Sequence, residues 1–467
     1  MENVRELILD ILLTLEREGG YSNQLIRDVL DKYDYLERTK KAFIKRVCEG
    51  TIERRIELDD KLNQISSTPV SKMKPFIRCL LRMSLYQILY MDQVPDSAVC
   101  NEAVKLAVKR KFGNLKGYVN GVLRTAVKKK DSFTLPDKEN REAYLSVKYS
   151  MPSQVLALLK QAYGWELTEE ILEALLAVHP VCVRLPLGMK KEDRDAVVRE
   201  MEKTGGRCLW TTYRENQFFL ENADNLSRLQ SFTQGKCTVQ DVSSALAVDA
   251  AGVKQGDIVI DACSAPGGKA VMAAEYAGER GQVYAFDISE GKCGRIEENA
   301  KRMHLDTISV GINDARTPRK ELFGKADVLL LDVPCSGLGI MGKKRDIKYH
   351  FEPENLPKLY GLQRDIVEKS LAYLKPGGTL LYSTCTLNPA ENQEMVEWIL
   401  TLPGMEQVSI RDSVPDRLWL ERSKVIEKLE AVGTATLRDN SVLCLPGVME
   451  MDGFFFAKFR KRKGEEG

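Results

Sequence analysis

Apolar residues near the start of the chain recur at helical spacing: Val4, Leu7, Ile8, Ile11, Leu12 and Leu15 share one face of a 3.6-residue repeat. The repeat continues through Leu25, Ile26, Val29, Leu30, Phe43, Ile44, Val47 and Ile52. It returns at Phe76, Ile77, Leu80 and Leu81, at Leu85, Ile88 and Leu89, and over Val99 to Ala107 and Leu115 to Val127. No alternating strand pattern appears before Ser132, which predicts an all-helical domain over residues 1–135. A polar, proline-containing connector, Ser132 to Asn140, follows it.

The next hundred residues mix the two periods. Helices are expected over Ser153 to Tyr163, Thr168 to Val178 and Asp193 to Thr204, with strands at Val181 to Leu185 and Asn216 to Leu220. They predict a small α+β unit over 136–234. From Gly235 onward strand and helix alternate. Strands are expected at Asp257 to Ala262, Gln282 to Asp287, Thr307 to Gly311, Asp327 to Asp332, Thr379 to Ser383, near Gln407 to Ile410 and at Gly453 to Phe459. Their apolar runs are continuous, as in strands buried on both faces, so 235–467 is expected to be an α/β domain with a mostly parallel sheet.

Composition narrows the class. The chain has 467 residues, 43% hydrophobic and 29% charged, and no run near the ~18 apolar residues of a membrane span. Its acidic start predicts no exported leader, so the eleven scattered cysteines read as a reduced, cytoplasmic set rather than a disulfide framework. Three histidines at no ligand spacing argue against a structural zinc, and no metal is expected. The net charge of +2 conceals an asymmetry: Asn101 to Lys130 holds nine basic residues and one acid. This stripe, Lys105, Lys109, Arg110, Lys111, Lys116, Arg124, Lys128, Lys129 and Lys130, is either a solvated helix face or the footprint of a phosphate-backbone partner. The basic end Lys458 to Lys463 reads as a solvated tail or a second phosphate contact.

Two cysteines stand apart from the rest. Cys335 follows the strand ending at Asp332, in Asp332-Val-Pro-Cys335, and Cys385 follows Leu380-Leu-Tyr-Ser-Thr384. The carboxyl ends of strands in an open α/β sheet border the ligand crevice, so these thiols are placed to react, although a free cysteine alone more often packs as a small hydrophobe. The turn Asp261-Ala-Cys263-Ser264-Ala265-Pro266-Gly267-Gly268-Lys269 opens a helix after the first strand of the domain. It is neither a Walker A loop, since Cys263 and Ala270 occupy required positions, nor a dinucleotide fingerprint. It remains a tight turn beneath a nucleoside-like ligand. Asp287, 19 residues beyond Gly268 at a strand end, is placed for ribose hydroxyls, and Asp314, after the third strand, would border an adenine. Spacing thus gives two thiols at one crevice without saying which acts first.

Pyrimidine C5 takes a methyl group only after a thiolate adds to C6, with an acid near N3 and a base for the C5 proton. The turn from Asp261 to Lys269, Asp287, Asp332-Val-Pro-Cys335-Ser-Gly, Leu362-Gln363, Leu374 to Gly378, Tyr382 to Thr386 and Pro389-x-Glu391-Asn392 together resemble the Nol/Nop/Sun family of RNA cytosine-C5 methyltransferases. The first domain is similar to NusB-like RNA-binding domains through Val4 to Leu12, Arg78 to Tyr90, Asn101 to Lys105 and Tyr118 to Arg124. The middle unit resembles the ferredoxin-like piece that precedes the catalytic domain there, with Arg184-Leu185-Pro186 where that family commonly has Arg-x-Asn. A NusB-like domain in front points to the branch acting on a cytosine of 16S rRNA.

The resemblance implies a Rossmann-type catalytic domain that uses S-adenosylmethionine and no metal. It implies Cys385 as nucleophile, Cys335 as the group that assists release, Asp332 holding the pyrimidine and Lys269 supporting the site. The cofactor would be held by Cys263, Ser264, Ala265, Pro266, Gly267, Gly268, Lys269, Asp287, Asp314 and Asp332. The partner implied is 16S rRNA on the basic stripe, with no membrane and a monomeric enzyme. The loop Gly339 to Tyr349 departs from the family at Lys343, Lys344, Arg345 and Tyr349 but keeps basic and aromatic character, so it too is expected to touch RNA. The same chemistry on tRNA or another rRNA position, and a non-catalytic RNA-binding assembly factor, are the alternatives. A nicotinamide oxidoreductase is disfavoured by the missing glycine fingerprint.

Overall fold

The computed structural model describes residues 3–177, 180–222, 226–433, 437, 438 and 440–463. They gather into two compact units: Met1–Leu158 with Lys343–Phe351, and Leu159–Gly342 with Glu352–Gly467.

The first unit is helical. Its main elements are α1 (Val4–Glu18), α2 (Ser22–Lys32), α3 (Arg38–Glu53), α4 (Arg55–Ile65), α5 (Pro75–Tyr90), α6 (Asp96–Lys109) and α7 (Lys116–Lys128). Sequence chemistry sets their ends. The Asn3 side chain caps α1 by accepting from the amides of Arg5 and Glu6, and Pro75 opens α5 where its missing N–H costs nothing. Helix α5 is buried nearly all round, from Phe76 to Ile88, as befits the central rod of a bundle. Around it pack Ile8, Leu12, Ile44, Val47, Leu58, Leu62, Val99, Leu106, Val119 and Leu123. Gly50 on α3 lets that helix close on α5, because a Cβ there would stand 2.0 Å from the Tyr86 ring. A short helix at Arg141–Lys148 follows, and the helical run Ser153–Leu176 is broken at Gly164 (φ 65°) between the two predicted helices. The predicted end at Val178 lies outside the described residues.

The second unit holds two sheets. Strands β1 (Val181–Arg184), β2 (Arg207–Trp210), β3 (Gln217–Glu221) and β4 (Thr238–Val239) form an antiparallel sheet of order β2-β3-β1-β4, the ferredoxin-like arrangement. Two of these, β2 and β4, have no counterpart among the predicted strands: β2 is largely exposed and β4 is two residues long, so neither carries an apolar pattern. The larger sheet runs β10 (Met405–Gln407), β12 (Phe454–Lys461), β9 (Leu374–Thr384), β8 (Ala326–Asp332), β5 (Ile258–Asp261), β6 (Gln282–Asp287), β7 (Ile308–Ile312). The five strands from β9 to β7 are parallel, while β12 is antiparallel to β9 and β10. An eighth strand, β11 (Ser441–Cys444), pairs only with β12 and likewise has no predicted counterpart.

The basic end is part of this sheet rather than a tail. Lys458 and Lys461 lie on β12, and the Lys461 ammonium donates to the carbonyls of Leu371 and Leu374. Among the described residues no helix is long and apolar enough to cross a membrane.

Candidate active site

Neighbouring parallel strands end on the same edge of a sheet, and β8 and β9 are neighbours with Asp332 in register with Ser383. That register brings the residues after both strands together. The sulfurs of Cys335 and Cys385 lie 3.3 Å apart. Of the eleven cysteines, seven are buried; these two are partly exposed, together with Cys208 and Cys263. The Cys335 thiol is pushed well up by its hydrogen bond with Cys385, then by burial, then by the charges of Cys385, Glu391 and Asp332.

Asp332 is held from two sides. Lys269 donates to its Oδ2 at 2.7 Å and the Ser383 hydroxyl to its Oδ1 at 2.9 Å. Burial lowers the Lys269 ammonium, but Asp332, with Asp261 behind, outweighs it and holds the group above its usual value. The same ammonium sits 5.0 Å from the centre of the Phe454 ring.

The turn between β5 and the helix Gly268–Ala277 is built for close approach. Gly267 has φ 100°, and a Cβ on it would meet the backbone of Ile296 at 3.3 Å. Asp261 is 1% exposed, and burial pushes it up to about 7 against the pull of Lys269 and of the nearby Ser264 hydroxyl and Cys263 amide. The hydroxyl of Ser264 is buried beside it. Burial and the carboxylates of Asp261, Asp287 and Asp332 keep the Cys263 thiol protonated. Asp287 accepts from the amides of Ala265 (3.0 Å) and Ile288 (2.8 Å) and from Lys292 (2.9 Å). These contacts tie β6 to the turn. Asp314 lies two residues past β7, next to Asn313, whose amide donates to the Asp287 carbonyl at 2.9 Å, and Arg316 forks onto both its oxygens.

Several supporting residues carry no role in the sequence reading. Gln240 donates to the carbonyl of Gly268 (3.2 Å) and accepts from Arg184, whose guanidinium also forks onto Glu275 at 2.7 and 2.8 Å. Arg184 is fully buried, so its place is to pin β1 to the helix behind the turn. Glu391, also fully buried, accepts from Ser336 after Cys335 and from Asn388 after Cys385. The sequence signal for it is its place in the Pro389-x-Glu391-Asn392 motif, without a function attached.

The profile of the family described as "16S rRNA methyltransferase RsmB/F" matches residues 250–460, and that of the NusB family matches residues 2–128. The Bacillus subtilis protein named "Probable ribosomal RNA small subunit methyltransferase B" is 32% identical over 98% of this chain and 99% of its own length. The chain belongs to the ribosomal RNA small subunit methyltransferase B family. A protein of that name from Escherichia coli (O1:K1 / APEC) is 30% identical over 98% of this chain and 99% of its own length. Among solved structures, a methyltransferase homolog from Pyrococcus horikoshii is 26% identical over 69% of this chain and 99% of its own, with a TM-score of 0.56. The crystal structure of PH0851 shares the fold over 99% of both chains, with a TM-score of 0.78 at 23% identity.

In this member of the family the basic stripe is only partly free. Lys109 and Arg110 pair with Glu6, Arg110 with Asp10, Lys105 with Glu102 and Lys130 with Asp92. Lys111, Lys116, Arg124, Lys128 and Lys129 are exposed, with no ion pair among the described residues. The loop from Gly339 to Tyr349 is partly engaged within the protein. Its stretch Lys343–Phe351 packs with the helical unit: Lys348 donates to the carbonyl of Glu53 at 2.8 Å, Arg345 lies 3.5 Å from the Glu53 carboxylate, and Arg55 stacks 3.7 Å from the centre of the Tyr349 ring. Lys343 and Lys344 remain at the surface.

Proposed function

We propose that the chain methylates C5 of a specific cytosine in 16S rRNA with S-adenosylmethionine, through a covalent bond between Cys385 and C6 of the base. The 3.3 Å approach of Cys335 and Cys385 beside the Lys269–Asp332 pair carries this reading. Two thiols with a carboxylate and an ammonium are what addition and elimination at a pyrimidine require. The target base would have to leave its stack to reach them.

The residues fit the cofactor. The glycine turn admits a ligand close to the backbone, and Asp261 and Ser264 place buried polar groups beside it. Residues Cys263 to Lys269 with Asp287 and Asp332 would hold it, and Asp314 would do so after parting from Arg316. Bound there, S-adenosylmethionine supplies an electrophilic methyl group.

The chain's own residues do the rest. Cys385 as thiolate adds to C6, which makes C5 an enamine carbon able to take a methyl group. Asp332, oriented by Lys269 and Ser383, holds the N3 side of the ring. Cys335, as thiolate, takes the proton from C5, and Cys385 leaves. The helical domain recruits the RNA through the free part of the stripe, at phosphates rather than bases.

Cys335→Ala and Cys385→Ala, each incubated with S-adenosylmethionine and 16S rRNA, test the roles. A covalent protein–RNA adduct is expected with Cys335→Ala and none with Cys385→Ala; the reverse pattern overturns the assignment. Bisulfite mapping of rRNA from a strain lacking the protein identifies the base, and an unchanged 16S pattern overturns the substrate.

A further inference from the structure

Glu391 is a carboxylate with 0% exposure and four donors. Its Oε2 accepts from the Ser336 amide (2.9 Å) and Gln363 Nε2 (2.8 Å), and its Oε1 from the Ser336 hydroxyl (2.5 Å) and Asn388 Nδ2 (2.9 Å). Gln363 reaches on to the carbonyl of Pro334 at 2.9 Å, so the residues on both sides of Cys335 are fixed while its thiol faces Cys385 at 3.3 Å. The backbone of Glu391 faces the other loop, its carbonyl accepting from the Tyr382 hydroxyl of β9 at 2.7 Å. The next residue, Asn392, accepts from Thr384 (2.6 Å) and donates to the carbonyl of Thr386 (2.9 Å), the two neighbours of Cys385. Burying a charge this deeply is costly unless it is fully hydrogen-bonded, and here two bonds meet each oxygen.

We infer that Glu391 is a positioning residue for the release step, fixing Cys335 against the C5 proton of the methylated base through Ser336 and Gln363. The inference rests on the roles proposed above for the two cysteines. Release passes the C5 proton to the Cys335 thiolate, which has given its own proton to solvent. The C–H electron pair becomes the C5–C6 double bond, and the C6–S pair departs with Cys385 as thiolate. The carboxylate acts only through its hydrogen bonds and its charge. That charge is one of those raising the proton affinity of Cys335, which suits a group that must take a proton from carbon.

The asymmetry of the bonds makes this specific. Around Cys335 every fixed neighbour bonds to the Glu391 carboxylate or to its partner Gln363. Around Cys385 the flanking residues Thr384 and Thr386 are held directly by Asn392 and by β9, and the carboxylate reaches them one bond further off, through Asn388 and Ser336. Removing the charge should therefore disturb release more than attack.

The test uses the full-length protein with S-adenosylmethionine and 16S rRNA, comparing Glu391→Gln, Cys335→Ala and the exchange variant Glu391→Gln/Gln363→Glu. Glu391→Gln is expected to lower kcat roughly tenfold or more with KM little changed, and to accumulate the covalent adduct seen with Cys335→Ala. The exchange variant returns a carboxylate to the same buried pair and is expected to lose most of the adduct. A loss of kcat in Glu391→Gln without adduct, while Cys335→Ala does accumulate it, overturns the inference and leaves the cysteine roles standing. Adduct in neither variant overturns both. Melting temperatures of all three keep a folding defect distinct from stalled release.

Discussion

The hydroxyls of Ser336 and Thr386 lie 2.6 Å apart, and each belongs to the residue that follows one of the two cysteines. The loops after β8 and β9 are therefore latched to each other one step beyond their thiols. Ser336→Ala removes this bond and one of the two from Ser336 to Glu391, but keeps the amide bond to the carboxylate. Because the amide bond to the carboxylate remains, we expect turnover reduced several-fold, less than in Glu391→Gln. Steady-state kinetics of the two variants side by side check the order.

The Lys269–Asp332 pair is largely enclosed, with side-chain exposures of 10% and 30%. Asp332→Asn leaves the ammonium inside with one carboxylate fewer. We expect a stability loss of roughly 1 to 3 kcal/mol and no detectable methyl transfer. Denaturant unfolding reads the first and incorporation of labelled methyl the second. Full activity in Asp332→Asn would remove this residue from the chemistry.

Asp261 carries a pH signature. Its folded carboxyl titrates near 7, above the unfolded value, so the folded state holds the proton more tightly. Its contribution to stability is present below about pH 4 and is lost as pH rises toward 7. Asp261→Asn has no such term. The difference in unfolding free energy from denaturant melts, variant minus wild type, should rise between those pH values and flatten above them, by about 4 kcal/mol. A difference independent of pH would mean that Asp261 is ionised throughout.

The stripe on α6 and α7 divides into free and paired charges. Changing Lys111, Lys116, Arg124, Lys128 and Lys129 together to Gln should weaken 16S rRNA binding and flatten its dependence on log salt by about 0.7 to 0.9 for each phosphate that is no longer neutralised. Lys109→Gln with Arg110→Gln should do much less, because those two charges are already spent on Glu6 and Asp10. Binding titrations at several salt concentrations separate the two sets.

What could be read from the chain follows the strength of each local pattern. The helices of the first unit and the strands β5 to β9 are long or continuous in their apolar positions, and their residues alone announce them. β2, β4 and β11 are short, and β11 acquires its place only by pairing with β12 at the far end of the chain. In the site, the motifs single out Cys335, Cys385, Asp332 and Lys269 together, and the register of β8 with β9 brings the two thiols side by side. The Glu391 cluster is hidden for another reason. Its members lie at 334, 336, 363 and 388, and hydrogen bonds between residues so far apart have no period to betray them. In the loop Lys343 to Tyr349 the contacts of Lys348 and Tyr349 with Glu53 and Arg55 carry no local signal, because basic and aromatic residues look alike whichever partner they face.

That loop also governs how the protein can be divided. The polypeptide passes between its two compact units after Leu158, after Gly342 and again after Phe351, so no single cut separates them. A fragment ending at Leu158 would lack the nine residues that cover Arg55 and the carbonyl of Glu53. The complementary fragment would carry Lys348 and Tyr349 stripped of the surface that shelters them. A linear split into an RNA-binding half and a catalytic half therefore yields two incomplete pieces, and a complete helical piece must carry Lys343–Phe351 as well.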